Sequence, residues 1–143
     1  MDISNSEKAY IYKRENKKCF YCKKHLKYRQ ITLDHYFPKS RGGTNEIFNL
    51  VLSCKKCNAL KGNKIPINYE GIIIIMFKKA YIDGMIKGTK INMPNLELGK
   101  GILKIDRIES IEPNFIFQSD NARFYIKDNT IEKIIFLGGK NEY

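Results

Sequence analysis

The chain has 143 residues, 43% of them hydrophobic and 29% charged, a balance that excludes a disordered polymer. No apolar run approaches the ~20 residues of a membrane-spanning helix, and the polar N-terminus lacks an apolar signal core, so the expected localisation is cytoplasmic. With 26 Lys and Arg against 15 Asp and Glu the formal charge is +11, which favours a polyanionic partner.

Residues 1–70 hold 15 basic and 6 acidic side chains, whereas residues 71–143 hold 11 and 9. All four cysteines, both histidines and the Gly42-Gly43 pair also lie in the first part, and the second is rich in Ile, Phe and Tyr. Two domains are therefore expected, residues 1–68 and 69–143.

In chain order, residues 2–17 are expected to form a helix capped by Ser4 or Ser6, with Ala9, Tyr10 and Ile11 on its apolar side. Residues 30–36 have the alternating, β-branched character of a strand, ended by Pro38 and the turn signals of residues 39–44, which leaves Asp34 and His35 at the strand's end. Leu50, Val51 and Leu52 lead into Cys54 and a short helix over residues 55–61, stopped by Gly62. Residues 70–87 read as a largely buried helix, because Ile74, Phe77, Tyr81 and Met85 recur at three- and four-residue spacing while Lys79, Asp83 and Lys87 line another side. Residues 88–101 read as a turn region. Four strands over 102–111, 114–118, 123–127 and 130–137 then make an antiparallel meander. Its Phe115, Phe117, Phe124, Tyr125 and Phe136 either fill that module's own core or form a homodimer surface.

Cys19-Phe20-Tyr21-Cys22 and Cys54-Lys55-Lys56-Cys57 are two CxxC pairs separated by 31 residues. Each pair presents two sulfurs from one tight turn, the arrangement that places four thiolates about 2.3 Å from a tetrahedral zinc. Lys23, Lys24, Lys55 and Lys56 would offset the excess negative charge of such a centre. A closed site of four cysteines has no open coordination position, so the expected zinc is structural: it staples the segment between the pairs. His25 stands among lysines and, with four cysteines already present, is expected at the surface. The tyrosines at 10, 12, 21, 28 and 36 are expected mostly to pack around the metal sites rather than stack on bases.

The stapled segment holds Asp34, His35, Pro38, Gly42, Gly43 and Asn49, followed by Asn58, Lys61 and Gly62. Hydrolysis of a phosphodiester needs a base near neutrality and a cation to neutralise charge building on phosphorus. His35 meets the first need, and elimination of His25 also leaves it. Asp34 taken alone reads better as a cap or as the partner of a neighbouring lysine, and Asn58 as an ordinary helix-end polar residue, although it directly follows Cys57. Gly42-Gly43 reads as a turn or as a surface that a phosphate backbone approaches closely. Lys39, Arg41, Lys55, Lys56, Lys61 and Lys64 cluster around these residues and are expected to contact nucleic-acid phosphates.

The stretch from Leu33 to Gly43, then Asn49-Leu50-Val51, Cys54 to Asn58 and Lys61-Gly62, together with the Cys19 pair, resembles the zinc-stabilised HNH endonucleases over about residues 15–64. The resemblance implies an α+β fold: a zinc-stapled ββα-metal nuclease core, here followed by a helix and a small antiparallel β meander. It further implies that Asp34 and Asn58 hold one Mg²⁺ or Mn²⁺, that His35 deprotonates water, and that Asn49 orients the catalytic loop. The last letter of the family name is often a histidine and here is Asn58, a variant that also occurs in active members. The expected function is metal-dependent cleavage of DNA; the alternative is a non-catalytic zinc-containing DNA-binding module.

Overall fold

The computed structural model of the chain describes residues 3–88 and 90–138. Contacts divide the chain into two compact units, Met1–Ile67 and Asn68–Tyr143. The fold is α+β, with four α-helices, a two-stranded antiparallel hairpin and a four-stranded antiparallel sheet among the described residues.

Unit one begins with helix α1, Asn5–Arg14. Ser4 starts it through a capping box: its Oγ accepts the Glu7 N–H at 3.1 Å, and Glu7 Oε1 accepts the Ser4 N–H at 2.9 Å. The helix is shorter than the expected 2–17, of which residue 2 lies outside the described residues. It stops because Asn16 and Lys17 both take positive φ, 56° and 61°, which turns the chain toward the first cysteine pair. Arg14 fastens α1 to the hairpin. Its guanidinium donates to the carbonyls of Ile47 at 2.9 Å and Leu50 at 2.5 Å, and pairs with Glu15.

The hairpin consists of β1, Thr32–His35, and β2, Leu50–Ser53, with Asp34 opposite Val51 and His35 opposite Leu50. β1 is shorter than expected because residues 28–30 form a 3₁₀ turn instead of extending the strand. All four residues of β2 are buried, and Ile11, Ile47 and Phe48 complete a core around it. Helix α2, Lys55–Lys61, follows directly, with Cys54 as its N-cap and Gly62 (φ 56°) as its C-cap.

Unit two opens with α3, Tyr69–Ile82, whose buried face is Ile73, Ile74, Met76, Phe77 and Ala80. The expectation carried this helix to residue 87. It ends five residues earlier because Gly84 (φ 77°) closes it: the Gly84 N–H returns to Tyr81 O at 3.1 Å and the Met85 N–H to Ala80 O at 2.8 Å. The apolar spacing continued to Met85 across a glycine that terminates helices.

Residues 88–101 are not simply a turn region. They contain most of helix α4, Asn95–Leu103, which buries Leu98, Gly101 and Ile102 and also takes the first two residues of the expected 102–111 strand. Gly99 and Gly101 masked it, since glycine is a poor helix former. In the fold, a Cβ on Gly99 would lie 3.8 Å from the Tyr81 ring, so α3 and α4 approach closely there.

The sheet is β3 (Arg107–Ser110), β4 (Ile116–Gln118), β5 (Ala122–Lys127) and β6 (Thr130–Phe136), in that spatial order with every pairing antiparallel, as the meander expectation has it. Asp128 and Asn129, with φ 50° and 57°, make the tight β5–β6 turn. Glu70 accepts the Ile108 N–H at 2.9 Å, and the Phe77 and Phe117 rings stack at 4.3 Å, which seats α3 on the sheet. Phe115, Phe117 and Phe124 are fully or almost fully buried in this unit's own core, whereas Tyr125 and Phe136 are half-buried.

Candidate functional site

The first cysteine pair sits in a knuckle closed by Cys19 N–H to Lys24 O at 2.9 Å and Lys23 N–H to Cys19 O at 3.0 Å. The Phe20 N–H donates to Leu52 O at 2.8 Å, so the knuckle is hung on β2. Because β2 runs straight into Cys54, the second pair arrives at the same place, and the four sulfurs lie within 4.8 Å of one another. None is in a disulfide. Burial pushes the Cys19 thiol up, but the N–H groups of Cys22, Cys54 and Tyr21 outweigh burial and bring its pKa to about 6. Cys54 is held low by the Cys57 N–H, while Cys57 is pushed up to about 12, first through its hydrogen bond with Cys54. Crowded sulfurs that compete for protons in this way are a donor set for a soft cation, and zinc fits it. His25 is exposed, as expected.

Asp34 and His35 end β1, and strand alternation turns them to different sides. Asp34 is buried, and two long-range partners meet it. The Tyr21 hydroxyl donates to its Oδ2, and the Lys61 ammonium lies 3.2 Å from the same oxygen and 3.5 Å from Oδ1. Lys61 also donates to His35 O at 2.8 Å. Its side chain is only 9% exposed, so Lys61 turns inward instead of joining the solvent-facing lysines expected to meet phosphates. Burial first, then the hydrogen bond and charge of Asp34, push the Tyr21 phenol well above the usual range. Asn58 is half-buried on α2, three residues before Lys61, a spacing that places both on one helix face.

His35 is half-buried, and its Nε2 lies 2.7 Å from Asn45 Oδ1. Asn45 is a residue that sequence reasoning passed over; nothing distinguishes it in a polar turn until the loop closes on His35. The closure depends on Asn49, which is completely buried. Asn49 bonds Phe37 and Thr44 with its side chain and leaves Asp34 and His35 to other partners. Gly43 is part of the same loop. A Cβ there would stand 1.8 Å from Phe37 O, so Gly43 packs directly against the Phe37 backbone, a contact that neither sequence reading of Gly42-Gly43 foresaw.

Lys39, Arg41, Lys55, Lys56 and Lys64 are exposed, and Arg41 donates to Asn63 O at 2.8 Å, tying the loop after β1 to the chain beyond α2. An open groove of about 760 Å³ beside the cysteine cluster is lined by Lys24, Arg29, Lys55 and Lys56 among others, with no acidic residue. No helix among the described residues is long and apolar enough to cross a membrane.

A hairpin leads into a short helix, and a four-cysteine cluster able to hold a metal lies beside an Asp-His strand end. Residues 19–70 match the family model described as HNH endonuclease. Over 51 residues, 35% of this chain, it is 39% identical to the CRISPR-associated endonuclease Cas9 of Corynebacterium diphtheriae. The match covers 5% of that much longer relative.

Proposed function

We propose that the chain is a metal-dependent DNA endonuclease in which His35 is the general base and Asp34 and Asn58 hold one divalent ion. The observation that carries this reading is the strand end itself, where consecutive residues supply a buried carboxylate and an imidazole whose Nε2 is bonded to Asn45. An amide oxygen can only accept, so Asn45 selects the imidazole tautomer protonated on Nε2 and leaves the Nδ1 lone pair to take a proton from water. Asn49 and Gly43 hold the loop that brings Asn45 there. Asn49 is thus a positioning residue in this reading.

Carboxylate and amide oxygens are hard donors, so Asp34 and Asn58 fit Mg²⁺ or Mn²⁺, which would neutralise charge on the phosphate as the bond breaks. Cys19, Cys22, Cys54 and Cys57 would hold a structural zinc that takes no part in the chemistry. Lys39, Arg41, Lys55, Lys56 and Lys64 face solvent and would follow the DNA backbone. Lys61 is reassigned to compensating the buried Asp34 charge. Four unpaired thiols that must remain available to metal favour a reducing compartment, the cytoplasm.

The pairing of Asp34 with Lys61 and Tyr21 also favours a second reading, a zinc-containing DNA-binding module without catalysis, because the carboxylate is satisfied without an ion. Incubation of supercoiled plasmid with the chain and Mg²⁺ or Mn²⁺ separates the two. Nicking or linearisation that disappears in His35→Ala supports the nuclease; DNA binding without cleavage under either ion supports the second reading.

A further inference from the structure

We propose that Tyr21 is a positioning residue that couples the zinc knuckle to the catalytic ion site, presenting one oxygen of Asp34 to a divalent cation. This inference rests on the nuclease reading above. Tyr21 stands between Cys19 and Cys22, so its backbone is held on both sides by residues of the cysteine cluster. The neighbouring Phe20 N–H is bonded to β2, and the Phe20 ring meets both Tyr21 and Tyr36 edge-on at 5.4 Å. Little freedom is left to the Tyr21 ring, and its hydroxyl reaches across thirteen residues of sequence to Asp34.

A carboxylate has two oxygens and can rotate to exchange them. Here Oδ2 receives the Tyr21 hydroxyl and the nearer Lys61 contact, whereas among the described residues Oδ1 has only the Lys61 nitrogen at 3.5 Å. The tyrosine therefore fixes which oxygen is spoken for and leaves Oδ1 as the open donor. Partners that orient a metal-binding carboxylate from behind typically change metal affinity or activity about 10- to 100-fold. The metal-stapled knuckle supplies the rigid base for this orientation, so loss of zinc would loosen Asp34 even though zinc lies outside the reaction.

Tyr21→Phe keeps the ring and removes the one oxygen in question. The purified wild-type chain, Tyr21→Phe and His35→Ala are to be compared for zinc content, for circular dichroism, for Mn²⁺ binding by calorimetry and for the Mg²⁺ dependence of plasmid cleavage. The expected result is unchanged zinc and fold in Tyr21→Phe, Mn²⁺ binding weakened about 10-fold or more, and cleavage restored toward the wild-type maximum when Mg²⁺ is raised. His35→Ala is expected to bind Mn²⁺ normally and to stay impaired in cleavage at every Mg²⁺ concentration. Equal Mn²⁺ affinity and an unchanged Mg²⁺ profile in Tyr21→Phe overturn the coupling and leave the nuclease reading intact. Loss of zinc or fold in Tyr21→Phe also overturns it, since the hydroxyl would then be structural. A wild-type chain that neither cleaves nor takes up Mn²⁺ overturns both readings.

Discussion

The side-chain amide of Asn49 grips the backbone of Phe37 at both ends: Oδ1 accepts the Phe37 N–H at 2.8 Å, and Nδ2 donates to Phe37 O at 3.1 Å. A third bond, Nδ2 to Thr44 O at 2.9 Å, pulls the far side of the loop onto the same residue. Residues 37–49, which include two glycines and a proline, are thereby closed into one geometry, and the loop delivers Asn45 to His35. The Tyr36 N–H, bonded to Asn49 O at 2.8 Å, continues the hairpin ladder past the end of β1.

Asn49→Ala removes three hydrogen bonds to the backbone of Phe37 and Thr44, and the expected loss of stability is about 2–4 kcal/mol. Asn49→Asp should be at least as damaging, because an acceptor would then face two carbonyl oxygens in a dry site. Urea denaturation of the two variants and the wild type checks the order.

Gly43→Ala drives a methyl group into the Phe37 carbonyl, where no side chain can yield, and should destabilise the chain by about 2 kcal/mol or more. Gly42→Ala is the control. Gly42 sits at φ 101°, so the cost there is conformational strain of about 1 kcal/mol. A thermal melt that ranks Gly42→Ala as the worse variant would contradict the packing described for this loop.

If His35 is the base, as proposed, His35→Ala should lower DNA cleavage about 10²- to 10⁴-fold with zinc content and fold unchanged. Asn45→Ala should give a smaller loss, since the imidazole stays in place but loses the partner of its Nε2. Single-turnover rates measured across about pH 5–9 on both variants are the check.

Cys54→Ser removes one sulfur of the four-cysteine cluster and the N-cap of α2 in one step. It should unfold unit one before any effect on chemistry can be measured, and wild-type protein should lose the same structure when a strong chelator strips its metal. Metal analysis of the wild type should return about one zinc per chain. Asp34→Ala and Asn58→Ala, by contrast, should keep zinc and lose cleavage, with partial recovery of the milder variant in excess Mn²⁺. Zinc loss in either would mean that the two metal sites had been confused.

Short-range patterns in the sequence determined a good part of this protein. Two CxxC pairs specify a four-sulfur cluster because each pair is a local turn with its own geometry, and the alternating residues of the second half specify a meander because a strand's period is two. The strand-end position of Asp34 and His35 follows from Pro38 and the turn that succeeds it. The same reasoning ran past Gly84 and missed α4, since burial of Leu98 and Ile102 outweighs the poor helix propensity of Gly99 and Gly101 only once α4 has something to pack against.

What only the tertiary structure decided is who meets whom across the chain. Tyr21 and Lys61 lie thirteen and twenty-seven residues from Asp34, and their convergence on its carboxylate depends on the knuckle hanging from β2 and on α2 turning one face toward β1. Sequence spacing carries no information about either angle. Burial decided the rest: in water, a lysine among lysines is a solvated charge, but beside a carboxylate removed from solvent it becomes a fixed partner, because an unpaired charge there would be far more costly than the ordering of one side chain.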